Sequence, residues 1–359
     1  MPDCLWKPNW KETQQHFNDW WARKGLVAII SSPLLPSRID MPSPPEPVDP
    51  EDSFIGKLRP AREHAKVACR PFLGDAMPMV APNFGPGSLA LMLGSEPLFT
   101  WNTLWFLPAF TDLGEPENWP ALRFDPENRW WKETEEILSR CRELAADNYI
   151  VGFPDLVENM DILASLRDMQ PLLMDMIERP EWVLEKLEEI FVAWKEAYER
   201  CYQIIKLSDG SSAWGAFHIW GPGRIAKVQC DMSAAFGPDM FKKFVVPTLE
   251  RQCDWLDHSL YHLDGTQCIC HLDHLLAIES LDVVQWTPQA GIERPGDPRW
   301  YDLYKKVLAG GKSLQVNPVT VPEAERLLDT IGGKGVYLAI SAPDEKAVEA
   351  ALTLVEKFR

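Results

Sequence analysis

The chain has 359 residues, 46% of them hydrophobic, and a formal net charge of -17. That supplies a sizeable core for one large domain or two smaller ones. The acidic balance excludes the clustered Lys/Arg face that nucleic-acid binding needs, and no uninterrupted apolar run of about 18 residues marks a membrane span.

Taken in order, residues 1–25 are predicted helical, with Trp10, His16, Phe17, Trp20 and Trp21 toward one side. A buried strand follows over Leu26–Ser32, then a Pro-rich irregular arm over 33–52. A helix is expected over 62–70, a strand and glycine-bearing loop over 71–87, and a short helix over 89–94. Residues 98–110 form an aromatic segment, read as a hairpin or a loop wall, and 129–148 an amphipathic helix.

From there strands and helices alternate. Strands are predicted over 149–154, 212–218, 225–230, 259–265, 281–286, 312–316 and 335–340. Helices are predicted over 161–177, 180–205, 238–256, 271–278, 300–309, 322–330 and 344–357. Trp220-Gly221-Pro222-Gly223 reads as a break after one strand, and Pro247 as an interruption of one helix. Such alternation implies parallel strands with right-handed crossovers. About eight strands favour a (β/α)8 TIM barrel over residues 61–359, with residues 1–60 as an N-terminal helical and irregular extension. An open doubly wound sheet is the alternative, but no third glycine follows Gly85 and Gly87 at dinucleotide-binding spacing.

A barrel places its chemistry at the carboxyl ends of its strands. Those ends carry Asp155, His218, Asp231, His262 with Asp264, Gln285 with Trp286, Asn317 and Ser341. His262 and Asp264 alternate around Leu263, so both face one side and can share a ligand, a proton or a metal. Cys268, Cys270, His271 and His274 have Cys-x-Cys-His-x-x-His spacing, which is not a structural zinc pattern. The chain start lacks a basic and then apolar leader, so a cytoplasmic location and reduced thiols for all eight cysteines are expected. The 16 tryptophans mark core, a surface for a second copy in a homodimer, or an aromatic wall for an apolar or cationic ligand.

Cys230-Asp231 followed by Phe236-Gly237-Pro238-Asp239-Met240-Phe241 and Phe244-Val245-Val246-Pro247 resembles the uroporphyrinogen decarboxylase superfamily. His262-Leu263-Asp264-Gly265, Val283-Val284-Gln285-Trp286 and Lys312-Ser313-Leu314-Gln315-Val316-Asn317-Pro318 resemble its later strands, so the likeness spans most of residues 60–359 and is clearest in the C-terminal half. The resemblance implies a (β/α)8 barrel and one of two chemistries. One is cofactor-free decarboxylation of uroporphyrinogen; the other is methyl transfer from a corrinoid protein to a zinc-activated acceptor. The arginine-rich motif of the true decarboxylases is missing after the first strand, where Ser31-Ser32-Pro33-Leu34-Leu35-Pro36-Ser37-Arg38 stands. The methyltransferases hold zinc with His-x-Cys and a second Cys near the last strand. His262 matches the His, whereas Asp264 replaces the first Cys and Ser341 lies near the second.

The reading is therefore a methyltransferase or demethylase with a corrinoid protein as partner and a small-molecule substrate. His262, Asp264 and Asp231 are the expected catalytic residues, with Asp155, His218, Gln285, Trp286, Asn317 and Ser341 toward substrate. His262 and Asp264 would hold zinc or another divalent metal, or act without metal as a polarised general base. The alternatives are a porphyrin-type decarboxylase, which needs no cofactor, and a barrel used only for binding.

Overall fold

A computed structural model describes residues 4–36, 38–39 and 41–359; residues 1–3 at the chain start and Ser37 and Asp40 of the 33–52 arm lie outside the described residues. The predicted N-terminal helix runs over Trp10–Trp21 and buries Trp10, Phe17, Trp20 and Trp21. It leads into β1 (Leu26–Ser31), whose apolar residues are mostly buried. The described residues of the 33–52 arm are irregular up to the Asp49-capped helix Pro50–Ile55. The next helix, Arg59–Cys69, precedes the short strands β2 (Leu73–Gly74) and β3 (Met79–Val80). The aromatic segment takes the hairpin form, with β4 (Glu96–Phe99) antiparallel to β5 (Leu104–Leu107).

The remaining strands are β6 (Ile150–Val151), β7 (Ser212–Trp214), β8 (Ile219–Gly221) and β9 (Ile225–Gln229). They continue with β10 (His258–Asp264), β11 (Val283–Thr287), β12 (Ser313–Thr320) and β13 (Val336–Ser341). The central sheet has seven strands in the order β2-β1-β13-β12-β11-β10-β9. Every neighbouring pair in it is parallel except β1 with β2. Strands buried on both faces read as apolar runs, and β9 is buried throughout. β1 lies between β2 and β13, so residues 26–31 belong to the same sheet as the C-terminal strands.

The fold is thus mixed α/β around a central, largely parallel sheet. Hydrogen-bonded ladders do not close it into the expected barrel among the described residues. β3 pairs in parallel with β6, and Phe153 bridges to Trp214, but both strands are only two residues long. β7 folds back antiparallel on β8 instead of laddering along β9. This also corrects two finer readings. The strand expected over 212–218 ends at Trp214, and Trp220-Gly221 lies within a strand. The helix expected over 161–177 is two, Asn159–Arg167 and Met169–Glu178, parted at Asp168 with φ +76. The Pro-initiated helix Pro180–Ile205 forms as read, burying Leu187, Ile190, Trp194 and Tyr198. No helix among the described residues is long and apolar enough to cross a membrane.

Candidate active site

Parallel register brings the polar strand ends together. His262 on β10 lies level with Gln229 on β9 and Gln285 on β11, and Gln285 lies level with Gln315 on β12. The side-chain amide of Gln285 fixes the state of His262. Its Nε2 is within 2.9 Å of Asn317 Oδ1 and Thr287 Oγ1, and 2.7 Å from the Trp286 carbonyl. All three are acceptors, so Nε2 is the donor end and Oε1 faces His262 Nδ1 as the acceptor. His262 therefore carries its proton on Nδ1. Nε2 is left with a lone pair, 3.9 Å from Asp264 Oδ2. Burial, followed by the Lys227 charge, holds the imidazole below its usual pKa, so it stays neutral at pH 7.

Asp231 enters from the turn after β9. It, His262 and Asp264 each offer one ligand atom, all within 4.8 Å of one another. Asp231 Oδ2 accepts from Gln229 Nε2 at 2.9 Å. Gln229 also donates to Asp161 Oδ2 at 3.0 Å, and the Asp231 and Met232 backbone N–H groups donate to Asp161 at 2.9 Å. Although Asp231 keeps an exposed edge, desolvation within the cleft, then the adjacent Asp161 charge, pushes its carboxyl up to about 7. Behind this layer Glu158 accepts from the Gln229 N–H at 2.6 Å and is fully buried. Burial pushes its carboxyl up to about 8, and Val157 and Asn159 on either side both have left-handed φ.

Lys227 is the cation among these acids. It is buried, pairs with Asp155 at 2.7 Å and donates to Gln229 Oε1. Lys227, Gln229, Glu158 and Asp161 were absent from the residues picked from sequence. The available signal was a lysine inside the otherwise apolar run Ile225-Ala226-Lys227-Val228, which a buried strand admits only with a carboxylate partner.

The other expected residues are placed as follows. Asn317 meets Gln285, and Asp155 meets Lys227. Trp286 faces the opposite side of the sheet from Gln285. It is fully buried and packs on Trp300 at 5.0 Å, which corrects its expected place beside substrate. Ser341 lines a different, mostly apolar cavity of about 920 Å³ together with Ser31, Thr320 and Pro343. That cavity's wall contains none of Asp231, His262 and Asp264. His218 ends no strand: it sits in a turn with φ +51, next to Phe217 at φ +62. Phe217 packs its ring against His262, 4.8 Å between centroids. His271 is buried and stacked on Phe241, with Nε2 3.0 Å from the Ser233 carbonyl, and Cys268 is buried beside Ser233.

The trio suits a divalent ion by donor chemistry. A neutral imidazole nitrogen with its lone pair exposed, and two carboxylates, make a nitrogen-and-oxygen set that leaves room for water or substrate. The Gln285 amide supplies the outer hydrogen bond that metal-binding histidines commonly have. Without an ion, the same three groups make a neutral base flanked by acids.

No protein family matches the sequence, and no curated protein does. Solved structures do. A methyltransferase from Methanosarcina mazei shares 12% identity, with a TM-score of 0.53 over 78% of this chain and 80% of that one. A B12-independent methionine synthase from Shewanella sp. W3-18-1 matches at 12% identity and TM-score 0.36, over 62% and 66%. A GH138 enzyme targeting pectin rhamnogalacturonan II matches at 13% and 0.38, over 88% of this chain and 34% of that one. At these identities the first likeness speaks for the fold alone.

Proposed function

We propose that this protein is an enzyme of one-carbon transfer on a (β/α)8-type scaffold of the uroporphyrinogen decarboxylase kind. It would move a methyl group between a corrinoid protein and a small acceptor at the carboxyl ends of β9–β12. The observation that carries this reading is the Nε2 lone pair of His262, held there by Gln285 and facing Asp264 and Asp231.

In this reading His262, Asp264 and Asp231 hold a divalent metal. When bound, that ion supplies the Lewis acidity that makes an acceptor nucleophilic at neutral pH. The chain's own residues do the rest. Gln285 and Asn317 keep the His262 ring in one tautomer and one plane. Asp161 and Gln229 fix the turn that carries Asp231. Asp231 would complete the ligand set when an ion is bound; without one, its carboxyl near 7 can take or give a proton. Phe217 covers one face of His262 and keeps water from it. A carboxylate in place of a thiolate makes the donor set harder, so manganese or iron competes with zinc better here than at a sulfur site.

The test is methyl transfer from free methylcobalamin to a thiol, followed by the visible absorbance of the corrinoid, with zinc or manganese supplied. The wild type should turn over and His262→Ala should lose about 100-fold or more. Equal rates in the two would overturn the assignment.

A further inference from the structure

Beside the reactive trio lies a second cavity, of about 320 Å³, at the ends of β3, β6 and β7. Its wall includes Glu63, Arg70, Asn83, Asp155 and His218. Charge pairing within it is uneven. Asp155 is paired with Lys227 at 2.7 Å, and Glu63 with Lys66 at 3.2 Å. Arg70, exposed at the cavity mouth, has no carboxylate or carbonyl partner for its guanidinium among the described residues. Asn83 Oδ1 accepts the Asp155 N–H at 3.2 Å, which leaves its Nδ2 donor unused. The ring nitrogens of His218, an exposed residue, are likewise without a partner among the described residues. The wall therefore offers an unpaired cation and two further polar groups with hydrogens to donate.

The cavity is joined to the trio by a strained turn. Phe217 and His218 both adopt left-handed φ, which costs non-glycine residues energy, so surrounding contacts must hold them. Gln315 donates to the Phe217 carbonyl at 2.8 Å, and Tyr337 to that of His218 at 3.0 Å. The chain reaches this turn through Gly215, where an added Cβ would fall 2.2 Å from Ala81 Cβ. As a result Phe217 meets His262 while its neighbour His218 lines the cavity. A second link runs from Asp155 through Lys227 to Gln229 and Asp231.

We propose that this cavity binds a single carboxylate of the acceptor substrate, with Arg70 as its charged anchor and Asn83 and His218 as its donors. That the cavity and the trio serve one reaction rests on the methyl-transfer reading; the carboxylate site itself does not. One unpaired arginine matches a small monocarboxylate. It does not match a polycarboxylated tetrapyrrole, which would need several.

The probes are acetate and propionate, with acetamide and propionamide as neutral isosteres and tricarballylate as a polycarboxylate. Binding is read by calorimetry and by the His218 ring C–H resonances. The acids should saturate the wild type, the amides should not, and tricarballylate should bind no tighter than propionate. Arg70→Gln should weaken acid binding about tenfold or more, and Arg70→Lys less. Asp264→Ala keeps Arg70, Asn83 and His218, so after chelator treatment it should bind acetate as the chelator-treated wild type does, and this test survives a failure of the metal reading. Unchanged acid binding in Arg70→Gln, binding of amides as strong as of acids, or no saturation at 100 mM (roughly the weakest useful range) would overturn the proposal. So would loss of acid binding in Asp264→Ala alone, which would move the carboxylate to the trio.

Discussion

Glu158 offers a quantitative test of the buried layer behind the site. Its side chain is fully buried, Oε1 accepts the Gln229 N–H, and Oε2 has no hydrogen-bond partner. Burial pushes the carboxyl from 4.5 up to about 8. The folded protein therefore keeps a proton that the unfolded chain has already lost at neutral pH. With more protons bound folded than unfolded, stability falls as pH rises from about 4.5 to about 8. For these two pKa values the linkage integral between pH 5.5 and pH 8 is about 3 kcal/mol. Glu158→Gln keeps an acceptor for Gln229 and removes the titration. Urea unfolding of both proteins across this range should show the variant gaining on the wild type by about 3 kcal/mol as pH rises. The comparison cancels the groups common to both that do not interact with Glu158; Lys227, Asp161 and Asp155 are the ones that do. Parallel pH profiles would mean that Glu158 is ionised in the fold, and the reasoning about its burial would be wrong.

Two further outcomes separate the faces of β11. Gln285→Ala removes the acceptor that fixes His262, so zinc affinity measured by chelator competition should fall about 10- to 100-fold, and Gln285→Glu should also lose affinity, because its second oxygen would meet the Trp286 carbonyl where a donor is needed. Trp286→Ala should leave that affinity unchanged. It should cost about 3–5 kcal/mol of unfolding free energy, because it empties a packed position against Trp300 on the other side of the sheet. A loss of metal binding in Trp286→Ala at full stability would contradict the assignment of faces.

Much of this was readable before any coordinates. The alternation His262-Leu263-Asp264 at the end of an apolar strand is enough to put both side chains on one side at a strand terminus. The same rule, applied strictly to Gln285-Trp286, would have excluded Trp286, since neighbours on a strand cannot share a face. The helix at Pro180 was legible because a proline start and helical periodicity agree there. The ladders were not. β3 and β6 are too short to leave a period, and the return of β7 onto β8 depends on a turn through left-handed Phe217 and His218 that no propensity announces. Glu158 and Asp161 escaped for a similar reason. Left-handed Val157 and Asn159 direct that loop; Asn admits that conformation but does not require it, and a β-branched Val does not signal it.

The account rests most directly on Asp231, His262 and Asp264 acting as one ligand set. Elemental analysis of protein purified without chelator, on the wild type, His262→Ala and Asp264→Ala, tests it in one step. Close to one divalent ion per wild-type chain and little in either variant is the expected result. A metal-free wild type, or variants that keep the ion, would contradict it.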